Sequence, residues 1–265
     1  LRSAAERLGV RAKIHIKLDT GMGRVGVYPN EVTEILNAIH SGPHVILEGI
    51  ATHVGWGLGR QQEAISAQIG LFAAEIDTLR AGLSPAPRWI HAANSLVTVA
   101  EPAGHFNMVR VGLLTYGIWP ATHDAVRRAP LDRLSASLSI HARLTQIRSL
   151  RAGQPVSYGG TQTVDRPTTA AIVPVGYGDG YPRHAEGGGH VLLNGNRCPI
   201  LGTVCMDQMV VDVTGHNVSV GDEVVLIGRQ GKAVVTVDDL SKAASTISYE
   251  IVTHLAARVP RVYLR

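Results

Sequence analysis

The 265-residue sequence contains two cysteines, four lysines and only 5% aromatic residues. Cys198 and Cys205 are too few and wrongly spaced for a zinc or redox pair, so they predict free thiols in a reducing cytoplasm. The uncharged, largely apolar run over residues 111–122 is interrupted by Pro120 and is shorter than the ~20 apolar residues that span a bilayer. These absences exclude a disulfide scaffold and a membrane helix.

Clustered positive charge is also missing, although the net charge is +4 and the pI is near 9.3. The lysines stand at positions 13, 17, 232 and 242, and Arg127-Arg128 is the only adjacent pair of arginines. A nucleic-acid surface usually gathers its charge on one face. The 12 histidines show no ligand spacing that implies a metal. We therefore expect neither a nucleic-acid partner nor a metal.

Glycine is abundant, and the first half of the chain alternates strand and helix patterns. Pro29 opens one helix and Gly42-Pro43 ends it, whereas apolar residues from Ile65 to Leu79 mark a second helix. Alternation of this kind favours a parallel sheet or barrel whose functional residues lie at the carboxyl ends of the strands. The predicted strands are residues 12–18, 45–52, 89–92 and 108–111.

After residue 131 the pattern changes to short strands. Residues 134–144 alternate with period two, Asn194-Gly195 predicts a hairpin, and Asp238 resembles a helix N-cap. We therefore predict an α/β domain over 1–131 and a mostly β domain over 132–265. The further predicted strands are residues 168–175, 191–193, 197–201, 210–213, 223–227 and 233–237.

The α/β part is about half as long as an eight-fold barrel of about 250 residues. Half a barrel leaves two parallel edge strands unpaired, which reduces the buried hydrophobic core and promotes aggregation. We therefore expect this part to be the second half of a (βα) TIM-type barrel, completed by a segment that precedes this sequence.

The segment Gly21–Gly26 reads G-x-G-x-x-G after a strand, which is the pattern of a dinucleotide-binding turn. That fold requires a helix to begin among the glycines, and Pro29 would then lie inside the helix at a cost of about 3 kcal/mol. A dinucleotide oxidoreductase is therefore disfavoured.

A more specific pattern surrounds this turn. Lys17-Leu18-Asp19-Thr20-Gly21-Met22-Gly23-Arg24 resembles the signature of bacterial alanine racemases, which use pyridoxal 5'-phosphate and have fold type III. Further blocks match in order along nearly the whole chain, and the implied fold is a βα barrel followed by a β domain. The blocks are His53, Ala93-Asn94-Ser95, Val109-Arg110-Val111-Gly112, Tyr116-Gly117, Val156-Ser157-Tyr158-Gly159, Gly176-Tyr177-Gly178-Asp179-Gly180-Tyr181, Cys205-Met206-Asp207-Gln208 and Ser248-Tyr249-Glu250.

The resemblance implies three catalytic positions. Tyr158 corresponds to the base on one face of the substrate, and His53 and Arg110 to a hydrogen-bonded relay that also contacts the cofactor. Arg110 would face the pyridine nitrogen, and since guanidinium stays protonated, that nitrogen gains no proton and the ring is a weaker electron sink. Taken singly, these residues also suit a half-buried strand tyrosine, a satisfied core histidine and a strand-end ion pair.

The remaining matched positions imply the rest of the site. The resemblance assigns the cofactor phosphate to Asn94, Ser95, Gly112, Leu113 and Tyr249, although a helix N-cap explains Ser95 equally well. Arg24 corresponds to the arginine near the cofactor hydroxyl and the substrate carboxylate. Lys17 corresponds to a lysine that is carbamylated in many relatives, and its structural alternative is a salt bridge with Asp19. Tyr177 and Met206 correspond to substrate-binding residues, which a homodimer shares across its interface together with Tyr158.

Two features depart from the family. None of the four lysines matches the one that carries the cofactor as a Schiff base and acts as the second base. Relatives usually place acidic residues soon after His53, where this chain has the Gly- and Trp-rich segment 54–59. We expect an L-/D-alanine racemase that supplies D-alanine for peptidoglycan, represented here by an N-terminally truncated chain that is inactive alone. The alternatives are a racemase of serine or another small amino acid, and a non-catalytic racemase-like module.

Overall fold

The computed structural model describes residues 1–55, 62–80, 82–120 and 133–264. The chain divides into two units, one formed by residues 1–115 and 119–134 and the other by residues 116–118 and 135–265. The predicted boundary at residue 131 and most of segment 54–59 lie outside the described residues. Within the described ranges, no helix combines the length and the apolar character that crossing a membrane requires.

The first unit contains a three-stranded parallel sheet in the order β1-β2-β3. Three of the four strands predicted in this half are thereby confirmed, as are the helix after Pro29 and the helix that contains Ile65. The strands are β1 Ala12–Lys17, β2 Val45–Ala51 and β3 Trp89–His91, and the helices are α1 Arg2–Leu8, α2 Val32–His40, α3 Gln62–Arg80 and α4 Ser95–Ala100.

One face of this sheet is apolar and the other is polar. Ile16 of β1 and Ile90 of β3 pack with Phe72 of α3 in a buried cluster. Successive side chains of a strand point to opposite faces, so Lys13, His15 and Lys17 lie on the other face of β1. The helices cover the apolar face and leave the polar face to build a site.

The strand predicted over residues 108–111 is wrong, since these residues form no regular strand. The segment makes two backbone bonds beside β3, from Asn107 N to Ile90 O and from Arg110 N to Ala93 O. The Ile90 N–H is bonded to the side-chain oxygen of Asn107 at 2.7 Å rather than to a backbone carbonyl. A side chain therefore interrupts the ladder that a fourth strand would need.

The second unit is mostly β, as predicted. An eight-stranded antiparallel sheet has the order β13-β12-β9-β10-β11-β8-β5, with β4 paired to β12, and β6 and β7 form a separate pair. The strands are β4 Ile140–Arg143, β5 Gln146–Leu150, β6 Pro155–Val156, β7 Gln162–Thr163, β8 Thr168–Val173, β9 His190–Leu193, β10 Asn196–Leu201, β11 Met209–Asp212, β12 Glu223–Gln230 and β13 Ala233–Val235, and the helices are α5 Val237–Ala243 and α6 Ser248–Thr253.

Local details confirm one expectation and correct two. The Asn194-Gly195 hairpin is confirmed, with φ of 49° and 79° at its two residues. Thr236 rather than Asp238 caps α5, because its side chain accepts a hydrogen bond from Asp239 N. The alternating run from residue 134 pairs only over Ile140–Arg143, since Ser137 N donates to Tyr116 O instead of to a strand.

Gly26 and Gly21 provide a stability test of the turn that follows β1. Gly26 has φ of 137°, and a Cβ there would lie 2.8 Å from Asp19 N, whereas a Cβ at Gly21, with φ of 128°, would meet nothing within 4 Å. Both substitutions to alanine strain the backbone, but only Gly26→Ala adds a clash. We expect Gly26→Ala to lower the free energy of unfolding by about 1–3 kcal/mol more than Gly21→Ala. Equal losses in denaturant unfolding would contradict the packing described for this turn.

Candidate active site

The carboxyl ends of the three parallel strands bring polar residues to one edge of the sheet. Asp19 and Thr20 follow β1, Thr52 and His53 follow β2, and Asn94 follows β3. Parallel strands end at a common edge, which is where barrel enzymes place their functional groups. The sequence pattern therefore positions a cluster here before any side-chain contact is considered.

Arg110 joins the ends of β2 and β3. Its Nη2 donates to the Thr52 carbonyl at 2.9 Å and approaches His53 Nδ1 at 3.3 Å, while its Nη1 approaches His91 Nδ1 at 2.7 Å. Nη2 also contacts the carbonyl of Ala92 at 3.3 Å. The structure thus brings Arg110 and His53 together, and the described residues include no carboxylate that forms an ion pair with Arg110. A strand-end ion pair therefore does not explain this arginine within the described residues.

Hydrogen bonding determines the protonation of the histidines around Arg110. A guanidinium can only donate, so His53 and His91 both accept through Nδ1, and each is neutral with its proton on Nε2. His91 Nε2 then donates to His15 Nδ1, which lies 2.7 Å away. The 3.5 Å contact between Asn94 Nδ2 and His53 Nε2 joins two donors and is not a hydrogen bond. The Nε2–H of His53 therefore remains available to a ligand or a base.

The electrostatics of the cluster agree with these protonation states. Burial, and next to it the Arg110 charge, lower the pKa of His91 to about 4. Burial followed by Arg110, Arg24 and Lys17 lowers the pKa of His53. Both imidazoles are therefore neutral near pH 7. The surrounding charges are positive, which favours a ligand that carries anionic groups.

Asp19 organises the glycine-rich turn. Its carboxylate accepts hydrogen bonds from the backbone N–H groups of Gly21, Met22, Gly23 and Arg24, and these bonds lower its pKa. The same N–H groups would have to bind pyrophosphate in a dinucleotide site, so the turn is already satisfied by its own aspartate. This contact is a second argument against dinucleotide binding.

Lys17 and Arg24 lie beside this turn. Lys17 Nζ donates to the carbonyl of Val25, and no salt bridge joins Lys17 to Asp19 in the described residues. Burial, followed by the charge of Arg24, lowers the pKa of Lys17. The salt bridge that offered a structural explanation for Lys17 is therefore absent. The lysine lies instead near the cations Arg24 and Arg110, which together with burial lower the pKa of its amine.

A buried hydrogen-bond network centred on Gln68 of α3 holds the segment that contains His53. Gln68 of α3 donates to the His53 carbonyl at 3.0 Å and to Thr20 Oγ1 at 3.1 Å, and it accepts from Gly55 N at 3.3 Å. Thr20 Oγ1 lies 2.6 Å from Thr52 Oγ1. These bonds tie the ends of β1 and β2 to α3 and hold the backbone that carries His53.

The expected phosphate site lies at the start of α4. Asn94 is the N-cap, since its side chain accepts from Val97 N at 3.0 Å, so the N-cap explanation for Ser95 is wrong. Ser95 is 2% exposed, and its Oγ accepts from Gly112 N at 2.9 Å and from Leu114 N at 3.5 Å. Gly112 and Leu113 follow an irregular segment rather than a strand. Ser95 therefore connects this segment to α4.

The other expected site residues belong to the second unit. Tyr158 is 71% exposed and begins a 3-10 turn, so it is not a half-buried strand tyrosine. Tyr177 N donates to Cys205 O at 3.0 Å, and Gly178 N donates to Met206 O at 2.7 Å, which places Tyr177 beside Met206. Tyr249 lies in α6 and is 43% exposed.

Sequence reasoning missed His15, His91, Thr52 and Gln68. The period-two alternation of β1 contained a signal for His15, because it lies between Lys13 and Lys17 on the polar face. His91 lies on the same face of β3 as Trp89, opposite the apolar Ile90. Nothing in the sequence indicated that Gln68 reaches across from α3.

The shifted pKa of His91 predicts an acid-sensitive site. Unfolded histidine binds a proton near pH 6.5 and folded His91 near 4, so the unfolded state takes up more protons between these values. The free energy of unfolding should therefore fall as pH drops from about 6.5 to 4, by at most about 3 kcal/mol from this residue. His91→Gln keeps an acceptor and a donor without titrating, and should flatten this dependence. Denaturant unfolding measured across this pH range tests the expectation, with His40→Gln, an exposed residue at the end of α2, as the control. An unchanged slope in His91→Gln would contradict it.

Comparison with known proteins agrees with this geometry. Family profiles described as the alanine racemase N-terminal and C-terminal domains match residues 1–120 and 137–263. The alanine racemase of Symbiobacterium thermophilum is 42% identical over 267 residues, covering 99% of this chain and 69% of that protein. The alanine racemase of Frankia casuarinae is 40% identical over 266 residues, covering 99% and 68%.

Solved structures show the same similarity. The alanine racemase from D-cycloserine producing Streptomyces lavendulae has a TM-score of 0.91 and 35% identity, covering 100% of this chain and 69% of that one. The alanine racemase from Bacillus anthracis with bound L-Ala-P has a TM-score of 0.84 and 32% identity, covering 99% and 68%. With the predicted fold class thereby confirmed, the chain belongs to the alanine racemase family.

Proposed function

We propose that this chain forms most of a pyridoxal phosphate-dependent racemase that interconverts L- and D-alanine and supplies D-alanine for peptidoglycan. One observation carries the proposal: the half-buried Arg110 guanidinium is held by His91 and the Thr52 carbonyl beside His53, without a carboxylate partner in the described residues. A buried cation without a counter-ion favours an electron-rich ligand. The two free cysteines, Cys198 and Cys205, further support a cytoplasmic setting.

The residues present fit the proposed cofactor at two places. The Nε–H and one Nη1–H of Arg110 have no partner within the described residues, so they are available to a pyridine nitrogen. Ser95 Oγ accepts two N–H groups, and its own proton has no acceptor there, so it is available to a phosphate oxygen. Asn94, Gly112, Leu113 and Tyr249 are proposed to complete the phosphate site. When bound, pyridoxal phosphate withdraws electrons from the α-carbon of the substrate and makes its proton more acidic.

Arg110 is proposed to control how strongly those electrons are withdrawn. Burial lowers the pKa of its guanidinium, but the group remains a cation that donates hydrogen bonds without transferring a proton. Its anchors fix its position, because His91 holds Nη1 while the Thr52 carbonyl holds Nη2. By leaving the ring nitrogen unprotonated, Arg110 would favour quick return of the α-proton, which suits racemisation.

Proton transfer requires a base on each face of the α-carbon. We propose Tyr158 for one face, supplied across a homodimer interface together with Tyr177 and Met206. His53 is proposed to assist the phenol, since its single N–H points away from Arg110 and is available to donate.

We propose that the second base lies outside this sequence and that the chain alone is inactive. Lys13 is paired with Glu48 at 2.7 Å, and Lys17 is bonded to a backbone carbonyl. Lys232 and Lys242 are exposed residues of the second unit. No lysine of this chain therefore offers a free amine beside Arg110 and His53.

Lys17 and Arg24 are proposed to act together on the substrate side. A neutral amine adds to carbon dioxide and releases a proton, and the lowered pKa of Lys17 favours that neutral form. The resulting carbamate would be an anion beside Arg24. Arg24 would then be oriented toward the cofactor hydroxyl and the substrate carboxylate.

Replacing Tyr158 tests the proposed base. Tyr158→Phe in the full-length enzyme should lower kcat by about 10²- to 10⁴-fold, because it removes the only atom of that side chain able to exchange a proton. The measurement is the racemisation rate from each enantiomer, with Tyr263→Phe in the exposed C-terminal tail as the matched control. A Tyr158→Phe enzyme with the full rate would refute the assignment, and comparing alanine with serine establishes the preferred substrate.

Reductive labelling tests the origin of the second base. Pyridoxal phosphate is added to this chain at equimolar concentration, borohydride traps any imine, and mass spectrometry locates the label. We expect no lysine to be labelled stoichiometrically, because Lys13 is paired with Glu48 and neither Lys13 nor Lys17 matches the cofactor-carrying lysine of the family. Stoichiometric label on either lysine would show that this chain carries its own cofactor-binding lysine.

A further inference from the structure

Ser157 has a backbone conformation that serine rarely adopts. Its φ is 62° and its ψ is −166°, a combination that is essentially restricted to glycine and costs of order 1–3 kcal/mol in other residues. Gly159 and Gly160 follow with φ of 78° and 57°, so glycine stands at the neighbouring positions where the turn requires positive φ. We therefore expect the serine side chain to make an interaction that offsets the strain of this backbone conformation.

The Ser157 side chain contacts the segment formed by residues 202–205. Its Oγ donates to the carbonyl of Thr203 and lies 3.4 Å from Cys205 Sγ. The neighbouring backbones are in tight contact, because a Cβ at Gly202 would lie 2.5 Å from Val156 O and 3.0 Å from Ser157 Cβ. The hydrogen bond of the Ser157 hydroxyl thus holds the strained backbone against residues 202–205.

The same segment fixes two other residues of the site. Cys205 O accepts from Tyr177 N, and Met206 O accepts from Gly178 N. A Cβ on Gly176 would lie 2.2 Å from Cys205 O, so the turn before Tyr177 can approach only as glycine. Residues 202–206 are therefore a common support for the turns that carry Tyr158 and Tyr177.

Tyr158 depends on this support because the residue is 71% exposed within its own chain. Because its own chain packs little against this side chain, the backbone at Ser157 sets the direction in which the phenol leaves the turn. We propose that Ser157 is a positioning residue, whose hydroxyl holds the strained backbone that aims Tyr158 at the α-proton. This inference rests on the proposed function, since it assumes that Tyr158 is a base.

Two substitutions separate the hydroxyl from the strain. Ser157→Ala removes the bond to Thr203 and keeps a Cβ in the unfavourable region, whereas Ser157→Gly removes the bond and the strain together. In the full-length holoenzyme we expect both to lower kcat by roughly 10- to 100-fold, the loss that a displacement of about 1 Å produces. The glycine variant should remain folded. A folded Ser157→Gly enzyme with wild-type kcat would overturn the proposal.

The control is a second positive-φ residue with a similar bond. Asn194 has φ of 49°, and its side chain donates to the carbonyl of Asn217 at 2.9 Å. Asn194→Ala and Asn194→Gly impose the same pair of changes on the hairpin between β9 and β10. We expect both to leave kcat unchanged. A loss at Asn194 equal to that at Ser157 would show that backbone strain acts through general stability, and would overturn the inference.

A double-mutant cycle tests whether Ser157 acts through Tyr158. If it does, Ser157→Gly should add less than twofold to the loss already caused by Tyr158→Phe. The deuterium isotope effect at the α-carbon should rise for one enantiomer only, since one of the two proton transfers is impaired. Multiplicative losses with unchanged isotope effects would contradict the positioning role. Full activity of Tyr158→Phe alone would refute the assignment of Tyr158 as a base, and a wild-type holoenzyme that does not racemise alanine would refute the proposed function itself, so the failures are distinguishable.

Discussion

The site depends on how a guanidinium is anchored where two parallel strands end. Arg110 follows β3 in the chain and reaches back to the Thr52 carbonyl after β2 and to His91 within β3. A buried cation normally requires a carboxylate partner, and here neutral imidazoles and carbonyls act as acceptors instead. The positive charge is therefore dispersed without being cancelled, and it remains available to a ligand.

Several features of the first unit follow from this arrangement. His53 and His91 must be neutral, because each accepts a bond from a group that only donates. Asp19, the nearby acid, is turned toward the backbone N–H groups of the glycine-rich turn. The cations Lys17 and Arg24 consequently add to the positive potential, and this region is suited to phosphate and carboxylate groups.

The second unit relies on backbone geometry where the first relies on charge. Glycines allow the turns near Tyr177 and Tyr158 to approach residues 202–206 more closely than any residue with a Cβ. Tyr158 and Met206 are exposed within their own chain, so backbone contacts rather than burial hold these residues there. The proposed proton transfer therefore depends on turns as much as on the identity of the base.

Periodicity predicted the parallel strands, and the matched blocks predicted that His53, Arg110 and Asn94 belong together. Neither periodicity nor the matched blocks could predict the hydrogen bonds that link Arg110 to His91 and His91 to His15. These hydrogen bonds depend on a register shift after Ile14, which sets His15 opposite Gly49. Only glycine fits at position 49, because a Cβ there would lie 2.7 Å from the imidazole ring of His15. Asp238 and Thr236 are both good caps by composition, and only the backbone geometry selects Thr236. The false strand at residues 108–111 arose because an asparagine side chain can replace a backbone carbonyl.

The protonation state of the ring nitrogen tests the central claim most directly. Nitrogen-15 NMR of the full-length holoenzyme, loaded with pyridoxal phosphate labelled at the pyridine nitrogen, reports whether that nitrogen carries a proton. We expect an unprotonated nitrogen that accepts a hydrogen bond from Arg110, with a signal that changes in Arg110→Gln. A protonated pyridinium in the wild-type enzyme would contradict this expectation.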